Sequence, residues 1–410
     1  MKKISSILCL ALMPMALLAE ELTYDRFIRL VAEKNVGYLA EQYNIDIAAA
    51  NRQAAKVWND PDLSVEYGNN QDRVMEMGQS VDVGLSYDLD IAGVRRARIR
   101  VAKSEEQLTE ASVAAYLSNL RLEASEAWAE AWRLKRSVEV LEASVRDMQQ
   151  IAQSDSIRLA VGDVGRTDAT QSRLEAQTLE GELIALRAEY RNALTELSFL
   201  CGGGAAMEVD GSDLPLDLQA MSEKDICLKA EANRADLKAA ELSHTLSQNN
   251  LRLVKASRRM ELGLSLGYSY NTEVRNEIAP APKFHGVSVG VTIPLKFSSL
   301  NKGERLAAEH EVAQSQHYYQ AARLEVRKEA LQAYQTYLAA REVRQRYDGD
   351  MLEEARQVVD SRKVGYQKGE TPLIELLTAQ QTYRDVMQGY IDACAGRFVS
   401  LAQLKKAIGE

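Results

Sequence analysis

After residue 19 the chain has no apolar run that approaches the roughly 20 residues a membrane-spanning helix requires. Proline, cysteine and phenylalanine are also scarce, with 7, 4 and 5 residues among 410. The chain is instead rich in Ala, Leu, Glu, Arg and Gln, which is the composition of long, self-associating helices. A bundle of transmembrane helices is therefore excluded, whereas membrane crossing by strands stays open.

Positive charge is in deficit as well. The formal net charge is −9, and it becomes about −11 once Lys2 and Lys3 are removed with the N-terminal segment described below. An acidic surface argues against a nucleic-acid partner.

Cysteine chemistry offers two alternatives. Cys201, Cys227 and Cys394 follow residue 19, an odd number without CxxC spacing. Cys201 and Cys227 flank a central linker and could pair in an oxidising periplasm; alternatively, all three are unpaired core residues.

Motifs for enzymatic chemistry are missing. The four histidines form no HExxH, and the chain has no Walker A, GxGxxG or GxSxG sequence. His310 and His317 share a helix face, but solvated helix positions explain them better than a metal site. We predict no catalytic, cofactor-binding or metal-binding residues, and hence no enzyme.

The N-terminus has the form of a secretory signal peptide. Lys2 and Lys3 precede an apolar run that ends at Leu17-Leu18-Ala19, before two glutamates. A single membrane anchor is the weaker interpretation, because Pro14 interrupts a run that is already short. We predict a signal peptide over 1–19 and export of the mature chain.

Two pairs of alternating stretches occur about 206 residues apart. Every second residue is apolar, and Gly, Ser, Thr, Asp or Glu lies between, which is the period of a strand with one apolar and one wet face. The predicted strands are 62–68, 80–90, 261–271 and 285–295. The predicted outward residues are Leu63, Val65, Tyr67, Val81, Val83, Leu85, Tyr87, Leu262, Leu264, Leu266, Tyr268, Val287, Val289, Val291 and Ile293. The predicted lumen residues are Glu66, Asp82, Ser86, Asp88, Ser265, Ser269, Ser288 and Thr292.

The same order of elements appears twice, so the chain is an internal duplication of a helix–hairpin–long helix–helix unit. The first repeat is predicted over 20–200 and the second over 222–410, joined by a Gly-rich linker over 201–221. Predicted helices cover 23–58, 94–161, 167–200, 222–259, 302–364 and 372–408, the last with Thr371 as its cap and Pro372 in its first position. Breaks fall at Gly162–Gly165 and Gly365–Gly369, where Arg158 and Arg362 lie 204 residues apart as matched positions.

Four strands per chain cannot close a membrane barrel, since about eight is the smallest number seen. Open edges would leave backbone amides unpaired in lipid. Several chains must therefore share one barrel; three, giving twelve strands, is the simplest number, and two or four remain open. A soluble sandwich is disfavoured because it does not need helices of this length. A coiled-coil spacer without a pore is disfavoured because the strand alternation occurs in both halves.

Taken together, the segments 22–27, 32–35, 91–98, 227–242, 293–308 and 365–380 resemble the outer-membrane efflux protein family, the TolC-like channels. The likeness covers nearly all of the mature chain, and its strength lies in the order, spacing and duplication of the segments. It implies a mainly α fold with a share of membrane β-barrel: a homotrimer with a twelve-stranded barrel in outer-membrane lipid and a long α-helical barrel across the periplasm.

The resemblance also implies function. The chain would be a passive exit duct that docks onto a periplasmic adaptor and an inner-membrane pump, without a cofactor. A type I protein-secretion exit channel is an alternative, because the pump largely selects the cargo. The family's gate lies at the periplasmic tip. An acidic ring position falls on Glu375, whereas the next falls on Thr378, so Glu375 alone is carried over as a pore constriction. Gly162, Gly165, Gly365 and Gly369 would form the adaptor-docking tips, and Arg158 and Arg362 could be plain helix C-terminal charges.

Overall fold

The computed structural model describes residues 21–69, 76–203, 208–210, 214, 221–259, 261–295, 302–347 and 349–410. The predicted signal peptide and most of the predicted linker lie outside the described residues. The chain divides into two compact units. One contains residues up to Leu39 together with Tyr116–Ala232 and Lys328–Glu410, and the other contains Ala40–Ala115 and Asn233–Arg327.

Helices account for most of the described chain. In chain order they are α1 Tyr24–Lys34, α2 Val36–Ala54, α3 Val94–Ala160, α4 Arg166–Leu200, α5 Glu223–Asn233, α6 Ala235–Ser257, α7 Lys302–Tyr347, α8 Met351–Gln367 and α9 Leu373–Ile408. Among the described residues, no helix is both long and apolar enough to cross a membrane.

The opening helix of each half is broken, so the predictions of single helices over 23–58 and 222–259 are wrong. The breaks fall at Asn35 and Arg234, which both have extended backbone. The Asn35 amide donates to the Leu200 carbonyl oxygen at 3.0 Å and accepts from the Tyr38 N–H at 2.9 Å. The backbone N–H and carbonyl of Asn35 keep their helical hydrogen bonds, to Val31 and from Leu39. Its side chain caps the first turn of α2 and adds a tertiary contact to the end of α4.

The two long helices differ. Helix α3 runs unbroken for 67 residues, or about 100 Å at 1.5 Å per residue, as the lack of Gly and Pro predicts. The predicted second long helix is instead interrupted between Tyr347 and Met351. Gly349, a poor helix former, and Asp350, which occupies the N-cap of α8, explain the interruption.

The four predicted strands form one antiparallel sheet in the order β2-β3-β5-β6, with β2 Asp62–Asn69, β3 Gln79–Leu89, β5 Leu262–Asn271 and β6 Phe284–Thr292. A separate two-stranded sheet joins β1 Glu21–Leu22 to β4 Glu208–Val209. In the larger sheet the two hairpins meet where β3 pairs with β5. Strands β2 and β6 therefore form its outer edges.

The register places apolar side chains in continuous rows across all four strands. One such row consists of Leu63, Leu85, Leu266 and Val289. Leu63 is 68% exposed and Val289 is 79% exposed. This confirms the predicted apolar face, and its exposure fits a surface that lipid covers.

The opposite face is polar and is built largely from glycine and serine. Each of Gly68, Gly84, Gly267, Gly286 and Gly290 faces a serine on the neighbouring strand, whose Oγ would lie within 2.6 Å of an added Cβ. One row of this face consists of Glu66, Asp82, Ser269 and Gly286. Serine hydroxyls thus occupy the space that the missing glycine side chains leave free.

The largest buried cluster gathers around Phe27 and Trp128, whose ring centres lie 5.2 Å apart. Tyr24 and Phe398 join it edge to face, with ring centres 5.0 Å apart. Cys201 is buried in the same cluster, and none of Cys201, Cys227 and Cys394 forms a disulfide within the described part of the chain. The Cys201–Cys227 pairing is therefore not formed.

Candidate functional site: the helical tips

The two helix breaks have the same backbone conformation. Gly162 has φ +82° after α3, and Gly369 has φ +78° after α8, in the left-handed region that glycine adopts without strain. The Asp163 N–H donates to the Arg158 carbonyl oxygen at 2.8 Å, and the Glu370 N–H donates to the Gly365 carbonyl oxygen at 2.9 Å. Each break is therefore a glycine-terminated helix end followed at once by a new helix.

These matched hydrogen bonds correct the predicted alignment of the repeats at this point. The two left-handed glycines lie 207 positions apart, not 204. On that offset Gly165 matches Pro372, and these two residues are the N-caps of α4 and α9. Pro372 is therefore a cap residue, whereas we predicted Thr371 as the cap and Pro372 as the first helical residue.

Arg158 does more than neutralise a helix end. Its Nε lies 2.7 Å from Asp163 Oδ2 in its own turn, and its Nη1 lies 3.5 Å from the carbonyl oxygen of Tyr366. The guanidinium carbon lies 5.5 Å from the centre of the Tyr366 ring. The hydrogen bond to Asp163 raises the pKa of Arg158 above its usual value. Arg158 thus joins the end of α3 to the end of α8.

A buried hydrogen bond makes the second link between the same two helix ends. The Tyr366 hydroxyl donates to Asp155 Oδ1 at 2.8 Å. Asp155 is fully buried, and its other oxygen has no hydrogen-bond partner among the described residues. Burial, and next the hydrogen bond to Asp155, raise the pKa of Tyr366 well above its ordinary value. The tyrosine is therefore held as a neutral donor to a carboxylate.

Glu375 lies in the first turn of α9, and its Oε2 is 2.8 Å from Arg362 Nη1. Both side chains are about half exposed, at 47% and 49%. They line an open groove of about 520 Å³ between α8 and α9, together with Ala355, Val358, Ile374, Thr378, Ala379 and Thr382. Arg362 is therefore engaged with the predicted constriction residue.

Two further ion pairs join the repeats nearby. Lys363 Nζ lies 2.8 Å from Asp147 Oδ1, and Arg384 Nη2 lies 3.7 Å from Glu175 Oε1. Sequence reasoning identified the four glycines, Glu375 and the two arginines but missed Asp155 and Tyr366. Neither residue belongs to a motif, and 211 positions separate them, so no local signal marks the pair.

A metal centre is a separate question. Across the described ranges, no group of three or more His, Cys, Asp or Glu side chains is placed to hold a metal ion. His244 is instead engaged with Ser315 at 2.9 Å and with Gln248 at 2.8 Å.

Comparison with known proteins decides the family. The outer membrane efflux protein family matches residues 30–203 and 228–410, which is most of the chain and includes both tips. The chain belongs to the outer membrane efflux protein family. This efflux protein is therefore a channel of the outer membrane with a large periplasmic helical portion. Members of the family act as trimers in tripartite pumps.

Individual relatives are distant in sequence. The cobalt-zinc-cadmium resistance protein CzcC of Cupriavidus metallidurans is 24% identical to this efflux protein over 394 residues, which cover 95% of this chain and 91% of CzcC. The solved structure of CusC shares 18% identity with a TM-score of 0.77, covering 94% of this chain and 91% of CusC. VceC of Vibrio cholerae shares 16% identity with a TM-score of 0.74, covering 94% of this chain and 95% of VceC. These structures confirm the predicted fold class.

Proposed function

We propose that three copies of this chain form the passive exit duct of a tripartite efflux system, docked onto a periplasmic adaptor and an inner-membrane pump. The observation that carries the proposal is the four-stranded sheet with one exposed apolar face and two open edges. Four strands cannot close around a lumen, whereas twelve can. Open edges in lipid would cost several kcal/mol for each unpaired amide.

The proposed organisation of the chain follows the duplication. A signal peptide over 1–19 is removed, the first repeat covers 20–200, a linker covers 201–221, and the second repeat covers 222–410. Each repeat supplies one hairpin to the barrel and one helix-to-helix break to the tip. The chain itself performs no catalysis, and the pump supplies the energy.

The proposed gate lies at the tip. Asp155, Arg158 and Tyr366 tie α3 of the first repeat to α8 of the second. Because the hydrogen bond between Tyr366 and Asp155 is short and buried, the two helix ends cannot separate without breaking it. Three copies of Glu375 would form a carboxylate constriction, which favours cations as acidic pore rings do. Arg362 competes for that carboxylate and would lower its effective charge.

Three of the four tip glycines are suited to adaptor docking. An added Cβ at Gly162 or Gly369 would meet no atom within 4 Å, and at Gly165 it would meet only Asp168 Oδ2, at 3.9 Å. These positions present bare backbone at the tip. Gly365 differs, because a Cβ there would collide with the Thr371 hydroxyl. We assign Gly162, Gly165 and Gly369 to the docking surface and Gly365 to the packing of the turn.

Divalent metal cations are the proposed cargo, on the relationship to CzcC. The polar face of the sheet supports this choice. The charged residues of that face in the described strands are Asp62, Glu66, Asp82 and Asp88, which are all acidic. Such a surface attracts cations into the lumen and does not hold anions.

Planar-bilayer conductance together with the mass of the purified assembly tests the duct. We expect a trimer that forms small, cation-selective channels. A monomer without conductance would overturn the shared barrel. Deleting the gene should lower tolerance to cobalt, zinc or cadmium; unchanged metal tolerance with impaired secretion of a polypeptide would replace the metal cargo with type I secretion.

A further inference from the structure

Positive charge is concentrated at one end of the sheet, although the chain as a whole is acidic. Residues 91–104 contain five Lys and Arg side chains and no Asp or Glu, and residues 249–259 contain four and again none. The first segment opens α3 and the second closes α6. Leu89 pairs with Leu262, so both segments adjoin the sheet at the same end.

The contacts of α3 fix which way its charges face. On one side Glu106 pairs with Arg52 of α2 at 2.9 Å, and on the other Ser104 accepts a hydrogen bond from Asn249 of α6 at 2.6 Å. Because α2 and α6 contact α3 on roughly opposite sides, two strips of the α3 surface remain uncovered between them, as the period of 3.6 residues per turn shows. One strip carries Arg98.

Arg98 lines a pocket of about 180 Å³ with Asp88 and Glu261. Asp88 pairs with Gly263 on the polar face of the sheet, so the Arg98 strip belongs to the wet side. The opposite strip, which carries Arg96, Arg100 and Lys103, therefore lies on the same side as the apolar face. All three side chains are exposed, and none forms an ion pair with a residue in the described part of the chain.

Helix α6 presents a matching strip. It contacts α3 through Asn249 and α7 through His244, whose Nδ1 lies 2.9 Å from Ser315 Oγ. Because α6 runs antiparallel to α3, the strip on the apolar side of this helical layer carries Arg252 and Lys255. Arg259 follows in the turn after the helix, where its N–H donates to the Ala256 carbonyl oxygen at 3.0 Å, and all three side chains are exposed. Arg252 also donates to Asn249 at 3.0 Å, and Lys255 lies 3.8 Å from Glu309 of α7. The six side chains constitute a basic belt: Arg96, Arg100, Lys103, Arg252, Lys255 and Arg259.

We propose that the basic belt binds the headgroups of anionic phospholipids in the periplasmic leaflet of the outer membrane. The belt lies directly beyond the lipid-facing rows, at the end where the strands pass into periplasmic helices. Each strip spans about 10 Å along its helix, enough to cross one headgroup layer of roughly 5–8 Å. Long cationic side chains at this level extend toward lipid phosphates, and clusters of them select anionic headgroups. The proposal rests on the outer-membrane placement and is independent of the adaptor, the pump and the cargo.

The test measures lipid binding to the full-length trimer in a non-ionic detergent. Phosphatidylglycerol is titrated against phosphatidylethanolamine, and bound lipid is counted by native mass spectrometry. We expect the wild type to retain phosphatidylglycerol in preference. Combining Arg96→Gln, Arg100→Gln and Lys103→Gln should weaken phosphatidylglycerol binding at least tenfold and leave phosphatidylethanolamine binding unchanged.

Two controls distinguish the effect of the basic belt from a general loss of positive charge. Arg98→Gln removes an exposed cation from the wet side of the same helix. A triple variant removes three exposed cations from the other compact unit: Arg173→Gln, Lys224→Gln and Arg356→Gln. Both controls should bind phosphatidylglycerol as the wild type does.

Conductance of each variant in phosphatidylethanolamine bilayers shows whether the channel still assembles, so failure of the duct is distinguished from failure of the lipid site. A conducting belt variant that retains wild-type phosphatidylglycerol binding would overturn the proposal. Equal binding of the two lipids by the wild type would also overturn it. A belt variant that loses adaptor binding while keeping its lipid would reassign the surface to the adaptor.

Discussion

The Tyr366 hydroxyl lies 2.8 Å from a carboxylate oxygen of Asp155, and this bond joins the second repeat to the first at the tip. A buried hydrogen bond to a charged group contributes about 1.5–3 kcal/mol. Tyr366→Phe removes that bond with little change in shape. We expect the open fraction of single channels in planar bilayers to rise by about ten- to a hundredfold, since 1.4 kcal/mol is a factor of ten.

The matched control for this variant is Tyr334→Phe. The Tyr334 hydroxyl also donates a 2.8 Å hydrogen bond, in this case to the Met221 carbonyl oxygen. That variant should gate as the wild type does. Equal gating of the two variants would show that the Asp155–Tyr366 bond does not hold the channel closed.

Alkaline pH should loosen the same link. Because the pKa of Tyr366 is raised above its ordinary value of 10.0, the folded tip favours the protonated tyrosine. The stabilisation is therefore complete below about pH 10 and is lost as the pH rises through the raised pKa. Thermal unfolding of the wild type, scanned upward from about pH 8, should show a decline above about pH 10 that Tyr366→Phe lacks. Parallel pH profiles for the two proteins would contradict the link.

The ion pair of Glu375 and Arg362 should affect the ion selectivity of the channel more than the stability of the fold. An exposed ion pair contributes about 0–1 kcal/mol to folding, so Glu375→Gln should unfold at nearly the wild-type temperature. Its cation-over-anion permeability ratio should fall, whereas that of Arg362→Gln should rise because the carboxylate is released from its partner. Reversal potentials in a salt gradient measure both ratios. Glu354→Gln removes an exposed carboxylate from α8 as a control, and a drop of equal size there would remove Glu375 from the constriction.

Adjacent residues of β6 should tolerate charge very differently. Val289 belongs to the apolar face and Ser288 to the polar face. An arginine on the lipid face near the bilayer midplane costs about 2–4 kcal/mol, whereas one in a wet lumen does not. Val289→Arg should therefore reduce the heat-modifiable trimer in outer-membrane fractions, and Ser288→Arg should not. The opposite order would mean that the two faces are exchanged.

Cysteine reactivity should follow burial. Cys201 is 5% exposed, and burial raises its pKa to about 11. Because the thiolate is the reactive form, single-cysteine proteins should show Cys201 alkylated at least tenfold more slowly than the half-buried Cys227 near neutral pH. In denaturant the two rates should converge. A reductant-dependent mass change in the wild type would instead indicate a Cys201–Cys227 disulfide.

The strands were predictable because their evidence is local. A period of two over eight or more residues identifies a strand and both of its faces without reference to the rest of the chain. The same applies to α3, where neither Gly nor Pro intervenes. The interruption after Tyr347 also has a local signal, because an Asp-Gly-Asp sequence follows that residue. The prediction missed it because the helical pattern continues on both sides.

Other features depend on distant partners. The break at Asn35 combines a local cap with a hydrogen bond to the Leu200 carbonyl oxygen, 165 positions away, and only the cap has a local signal in the sequence. The Asp155–Tyr366 bond likewise depends on how two repeats pack at the tip. Even the matching of the repeats was off by three positions there, because Arg158 and Arg362 look equivalent in sequence while backbone geometry pairs Gly162 with Gly369.

The glycine–serine pairs on the polar face of the sheet bear on where the duct is narrow. Each pair places one small hydroxyl where two full side chains could project, so these positions leave the bore open at its outer end. The rate of flow through a channel is limited by its narrowest segment. Enlarging the serines should therefore hardly alter the rate of transport until the bore there becomes as narrow as the proposed constriction at the tip.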